Sequence, residues 1–330
     1  MIQFLADNID QLDLALDQLA ISDRNFDRFA LMLIDNVVEL TLHKYGQDKA
    51  YENKAYGHLQ KTKYDTKIIE EAIGQQFDKK VKAATKLGLL DEQLKDSLLY
   101  LHQFRNTAYH QGLRHERILH SLALFYFINA CDVLTAYKPQ FWSWSSNDKI
   151  SHRARKYIGE PNFLSTEDVF QDAYRRLKDV AESMGDRLIE SLSEDIGKTI
   201  DSTDYSLDFL SKDSPEPKSR NHIVVDAQAW PVAFTDEGKE FARNNGCREE
   251  NVHHYVEWIA KNYPWQIKTD PIPSWRNRKE ILSKEKDKHK ALKKYCDFMK
   301  QTEEIRTKID DAAAQLDAYI QQQIDIMRGK

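Results

Sequence analysis

Apolar and polar positions along this chain recur mostly at the three- and four-residue spacing of an amphipathic helix. Residues 2–20 mix Ile, Leu and Ala with Asp and Gln at that spacing. Ser22 or Asp23 is placed to cap a longer helix over 24–46, with Phe26, Phe29, Leu33, Val37, Val38 and Leu42 among its apolar positions. Residues 47–64 are polar and read as a loop or a short irregular helix. Asp65 or Thr66 then opens a helix to about residue 87, with Ile68, Ile69, Ala72, Phe77, Val81 and Ala84 inward, Gly74 within it and Gly88 at its end. Leu89–His110 and Arg114–Tyr137 follow. The second of these carries Ile118, Leu122, Phe125, Ile128 and then Cys131 or Asp132, and Pro139 stops it. Four long helices with short connections predict an up-and-down helical bundle over 1–140, in a mainly α chain.

The pattern breaks over 141–164. Phe141, Trp142, Ser143, Trp144, Ser145, Ser146 and Asn147 have no helical period, and Pro161 and Asn162 follow, so this stretch reads as a linker. The Trp pair covers the open end of the bundle or, alternatively, stacks bases. Residues 165–330 form a further helical region. Ser165 begins a helix with acidic Glu167 and Asp168 in its first turn and a stripe of Phe170, Ala173, Leu177, Val180, Met184 and Leu188, running to about 200. Residues 201–221, rich in Ser, Asp and Pro, read as a mobile linker. Residues 223–227 and 230–234 read as the two strands of a small hairpin, with Pro231 confining the second to an edge. Two short helices, parted by Gly246, are expected within 236–262. One long helix is then expected over 275–328. Tyr295, Phe298, Thr302, Ile305, Ile309, Ala312, Leu316, Tyr319, Gln323 and Ile326 repeat there as a heptad. Its partner is either the helix at 165–200 or another subunit.

Gly (11) and Pro (8) are scarce in the 330 residues, which fits helices better than a turn-rich β protein. A net charge of -5 means that any contact with nucleic acid is a local patch. The candidate is 276–294, where nine Lys and Arg face three acidic residues, and Lys290, Lys293 and Lys294 are its RNA-binding candidates. The alternative is a solvated helix face. Cys131, Cys247 and Cys296 are too scattered for a disulfide framework or a zinc site. No metal or other cofactor is expected. The N-terminus has no basic head, and the apolar run Leu122–Leu134 is too short for a bilayer. These features predict a soluble, cytoplasmic protein without a membrane partner. No glycine-rich phosphate loop and no Gly-x-Ser-x-Gly is present, so neither a nucleotide-driven motor nor a serine hydrolase is indicated.

The richest chemistry lies in Phe104-Arg105-Asn106-Thr107-Ala108-Tyr109-His110-Gln111-Gly112. Leu94, Leu98 and Leu101 form a stripe that continues onto Arg105 and Ala108, so an arginine stands on an inward face, where it must be paired or used. Arg105-Asn106 followed by His110 resembles the signature of the HEPN superfamily, an arginine and a polar residue followed by a histidine on a late helix of a small bundle. The resemblance covers roughly 20–140. It implies a metal-independent endoribonuclease with Arg105, His110 and Asn106 catalytic, a composite site in a homodimer cleft, and a setting in toxin–antitoxin or antiviral defence.

The residue types suit that chemistry. RNA brings its own 2'-hydroxyl nucleophile, histidine moves protons near neutral pH, and arginine holds two phosphate oxygens at once. Asn106 orients Arg105 or the phosphate, and Tyr109 either packs or supports the site. Asp35 and Glu39, one turn apart on an early helix, are candidates to reach across and hold Arg105 or His110, or else they form a solvated face. Five positions on a regular helix place Arg105 and His110 about 140° and roughly 7.5 Å apart. Either the helix loosens at 109–112 or two protomers pool their motifs. Two copies would also relieve an arginine otherwise buried unpaired, at a cost on the order of several kcal/mol. In the bland alternative His110 simply caps carbonyls. A toxin could take an antitoxin or other partner protein through the C-terminal helix; the competing functions are a non-catalytic dimerisation or interaction module, whose C-terminal helix takes a partner, and an RNA-binding regulator.

Overall fold

The computed structural model describes residues 1–330 except 58–61, 111–115, 144, 146, 161–166 and 330, and the side chains of Tyr56, Gly57 and Glu116. Among the described residues every regular element is a helix. In order they are α1 (Ile2–Ala20), α2 (Arg24–Gly57), α3 (Thr66–Ile73), α4 (Phe77–Lys86), α5 (Glu92–His110), α6 (Glu116–Ala136), α7 (His152–Ile158), α8 (Glu167–Ser183), α9 (Leu188–Lys212), α10 (Arg220–Ala233), α11 (Asp236–Asn244), α12 (Val252–Asn262), α13 (Ile272–Ser283) and α14 (Lys288–Met327). The chain forms two compact units, residues 1–192 with 286–293, and residues 193–285 with 294–330. The expected linker at 141–164 falls inside the first unit, and α7 within it packs on α1.

The first unit is a helical bundle around α6. Its side chains from Ile118 to Leu134 are buried on almost every side, as a helix apolar all round requires. This helix is long and apolar enough to cross a membrane by composition, and most of it is buried inside the unit. The polar Asn129 that interrupts its apolar run donates to the Phe125 carbonyl at 2.6 Å. α2 packs against α1, α3, α4, α5 and α6. It continues through the expected loop, to Gly57. Gly46 is a notch, because a Cβ on it would stand 2.9 Å from Ala72 of α3. Beyond the notch, Glu52 takes Lys63 and Tyr64, and Asn53 pairs with the Tyr64 backbone. The single helix expected over 66–87 is two, with Asp65 capping α3 and Gly74 ending it. Gly88 turns the chain at φ 86°. Trp142 packs on Phe170, their ring centroids 5.6 Å apart. Its expected companion Trp144, the motif residues Gln111 and Gly112, and Pro161, Asn162 and Ser165 lie outside the described residues.

Four expectations are corrected in the second unit and the segment before it. The hairpin does not form: 220–233 is α10, capped by Ser219, with Ile223, Val224, Ala227, Ala229 and Ala233 buried. Burial of that face overrides the strand preference of Ile and Val. Pro231 sits inside the last turn, where its missing N–H forgoes the bond that would run to the Ala227 carbonyl. The mobile linker expected at 201–221 is largely helical, because α9 runs on to Lys212. The helix expected over 165–200 is broken at Gly185, φ 116°, between α8 and α9. The long helix expected over 275–328 is likewise α13 and α14, parted at 284–287. Within this unit Trp275 meets Phe298 edge to face, and Ala229, Ala242, Val256, Ile259 and Trp265 form a small core. Heptad residues Tyr295, Phe298, Thr302, Ile305 and Ile309 are buried, whereas Tyr319 and Ile326 are exposed.

Candidate active site at the end of α5

The stripe on α5 is buried at Leu98, Leu101 and Ala108 and half-buried at Leu94. At Arg105 it meets Asp35, which α2 presents from across the bundle and which is wholly buried. Arg105 Nε lies 3.2 Å from Asp35 Oδ2, an ion pair without hydrogen-bond alignment. The other carboxylate oxygen is held by Tyr126 Oη at 2.7 Å and His102 Nδ1 at 2.8 Å. Burial, then the Asp35 charge, pushes the Tyr126 hydroxyl well above its ordinary pKa, so it remains a donor to Asp35. His102 is fixed from its other side by Phe77, stacked at 3.8 Å. Asp35 is thereby oriented by two side chains before it meets the arginine.

Arg105 keeps one side open. Its Nη1 donates to Asn106 Oδ1 at 2.9 Å, and its guanidinium carbon lies 5.8 Å from the centre of the Tyr109 ring. Nη2 has no partner among the described residues. Tyr109 is more than half exposed, and its ring meets His110 edge to face at 4.8 Å. His110 is exposed in the last turn of α5. The helix stays regular through His110, so it does not loosen at Tyr109, and Arg105 and His110 are not brought into contact. Tyr109 stands beside both. Arg28 of α2 donates to the Tyr109 carbonyl at 3.1 Å, anchoring the end of the helix.

Of the two candidate carboxylates, only Asp35 is at the arginine. Glu39 pairs with the buried Lys80 at 2.6 Å. The three candidate RNA-binding lysines are each near an acid: Lys290 by Asp287 at 3.6 Å, Lys293 by Asp96 at 3.3 Å and Lys294 by Glu285 at 2.6 Å. Elsewhere in the basic stretch, Arg276 meets Asp204 and Lys288 meets Asp186. Each of these cations has an acid beside it within its own unit, so the stretch is not a bare run of cations. Sequence reasoning missed Tyr126, Arg28 and the role of His102. Tyr126 is hidden in an apolar run, and only the position of His102, one turn before Arg105, hinted at its role.

No protein-family model, curated protein or solved structure matches this chain.

Proposed function

We propose that the first unit is a metal-independent endoribonuclease of the HEPN type. The observation that carries this reading is the half-open Arg105, held on one edge by a pre-oriented buried carboxylate and open beside the exposed Tyr109 and His110. Arg105 binds the scissile phosphate, His110 moves the proton of the 2'-hydroxyl or of the leaving oxygen, and Asn106 aligns the guanidinium. Asp35, with His102 and Tyr126 behind it, is the positioning group. Because His110 does not meet Arg105 in one chain, the complete site draws the histidine from a second copy across an up-and-down bundle dimer. The pairing with Asp35 removes the cost of a buried lone arginine, so the dimer follows from the separation of the two residues and not from unpaired charge. A toxin or antiviral role is the setting that the resemblance suggests.

The test is incubation of the purified chain with total RNA in chelator. Wild type should leave cyclic phosphate and 5'-hydroxyl ends, and His110→Ala should not. Activity that vanishes in chelator and returns with magnesium would overturn the mechanism. A dimer mixed from Arg105→Ala and His110→Ala protomers should recover part of the activity, while a monomeric, fully active protein would rule out the pooled site. The second reading, a non-catalytic interaction module, draws on the exposed Tyr319, Ile326 and Met327 at the end of α14. Cleavage indifferent to both substitutions would favour it.

A further inference from the structure

The second unit contains an open cleft of about 890 Å3 between α10, α12, α14 and the segment after α9. This is within the size range of small-molecule sites. Its floor is apolar, from the buried Leu210, Ile223 and Ala227. One wall is an aromatic shelf. Trp230 and Phe234 are 44% and 49% exposed, with rings 6.2 Å apart and inclined by 30°, and His253 stands edge-on to Trp230 at 5.7 Å. Surface this aromatic and this exposed has a surplus of binding capacity that the fold does not use.

Charge decides the occupant. The two lysines of the cleft are engaged by the chain's own acids, Lys218 by Asp226 at 2.8 Å and Lys308 by Glu304 at 2.6 Å. Glu216, Glu257 and Asp311 also line the cleft, and none has an ion-pair or side-chain hydrogen-bond partner among the described residues. Acids outnumber lysines in the lining, so an anionic ligand, RNA included, is repelled here, and a neutral one would desolvate carboxylates that only Lys218 partly offsets. The three acids come from three separate segments, which suits several spaced positive charges better than one. Aromatic faces attract ammonium groups, and methylene stems cover apolar floors.

We propose that this cleft binds an aliphatic polycation of the polyamine class, with its methylene stem on the Trp230 shelf and its ammonium groups at Glu216, Glu257 and Asp311. The site is independent of the ribonuclease reading. The test is calorimetric titration of the full chain with spermidine near physiological salt. Saturable binding is expected, weakened about tenfold in Trp230→Ala and at least as much in the shape-conserving double variant Glu257→Gln/Asp311→Asn. Glu240→Gln, an exposed acid outside the cleft, should leave affinity unchanged and so separates the site from general charge attraction. Absence of saturable heat, equal affinity in all variants, or binding of a lysine-rich peptide but not of spermidine would each overturn the proposal.

Discussion

Two arginines show how the same side chain is used up in one place and held in reserve in another. Arg220 opens α10 in the second unit, and each part of its fork meets a separate carboxylate. Nε takes Asp270 at 2.8 Å, Nη1 takes Asp208 at 2.5 Å, and Nη2 takes Asp204. It ties α9, α10 and the start of α13 together. Arg105 in the first unit has one buried carboxylate, imperfectly aligned, and a neighbouring amide. The side chains are similarly exposed, at 24% and 29%, so burial does not distinguish them. Unspent donor capacity does. A guanidinium whose three nitrogens each already meet a separate acid is neutralised and held in place, whereas Arg105 has an open edge beside Tyr109.

The comparison sharpens most at Arg220. Replacing it with Ala strips Asp270 of its cation, leaves Asp204 and Asp208 with only Arg276 and Lys212, and should destabilise the second unit by about 3 kcal/mol, read by urea unfolding. Lysine should restore less than half, because one ammonium cannot reach three separated acids. A loss below about 1 kcal/mol would mean that the cluster is an exposed network of little consequence.

Arg105→Ala should behave in the opposite way. Asp35 is wholly buried and loses its cation but keeps Tyr126 and His102, so the fold should lose about 2 kcal/mol, still less than with Arg220→Ala. RNA cleavage should fall at least about a hundredfold, as when a transition-state donor is removed. Asp35→Asn should lower cleavage less than Arg105→Ala does, with a raised KM, since it loosens the guanidinium without removing it. Should Arg105→Ala cost as much stability as Arg220→Ala, Arg105 would be a second structural staple and the catalytic assignment would fall.

The two arginines were unequally legible. Arg105 announced itself because a leucine stripe ran into it, and a charge on an inward face demands an explanation. That Asp35 rather than Glu39 is the carboxylate at the arginine could not be read from sequence, because both lie on similar faces of one helix and the choice depends on where α4 places Lys80. Arg220 was hidden inside a stretch that looked like a linker. Its partners Asp204 and Asp208 gave that stretch a loop-like composition, yet one turn apart on α9 they form half of a four-residue ion cluster. Ser, Asp and Pro richness signals a loop only when the acids have no cation to gather around. Likewise Val and Ile in 223–225 suggested a strand, and burial in the α10 core made them helical. The helical period of α1, α2, α5 and α6 was readable because local pattern and tertiary burial agree there, whereas the breaks at Gly185 and 284–287 lie where periodicity carries on past a change in direction.

Acid should give the smallest effect and separate the two sites again. Hydrogen bonds from Lys212 and Arg220 hold the Asp208 carboxyl below its ordinary range. Its folded pKa is therefore lower than its unfolded one, so the stabilisation is complete above about pH 4 and lost as pH falls through the folded value. Between pH 5 and pH 3 the urea midpoint of wild type should fall more steeply than that of Arg220→Ala, in which Asp208 titrates closer to its unfolded pKa. Asp208→Asn should flatten part of the same slope. Arg105→Ala should leave the slope of the second unit's transition unchanged, since Asp208 receives its hydrogen bonds from Lys212 and Arg220. If Arg220→Ala and wild type lost stability in parallel, the carboxylates around Arg220 would not be linked to it, and the contrast between a spent arginine and a reserved one would lose its electrostatic basis.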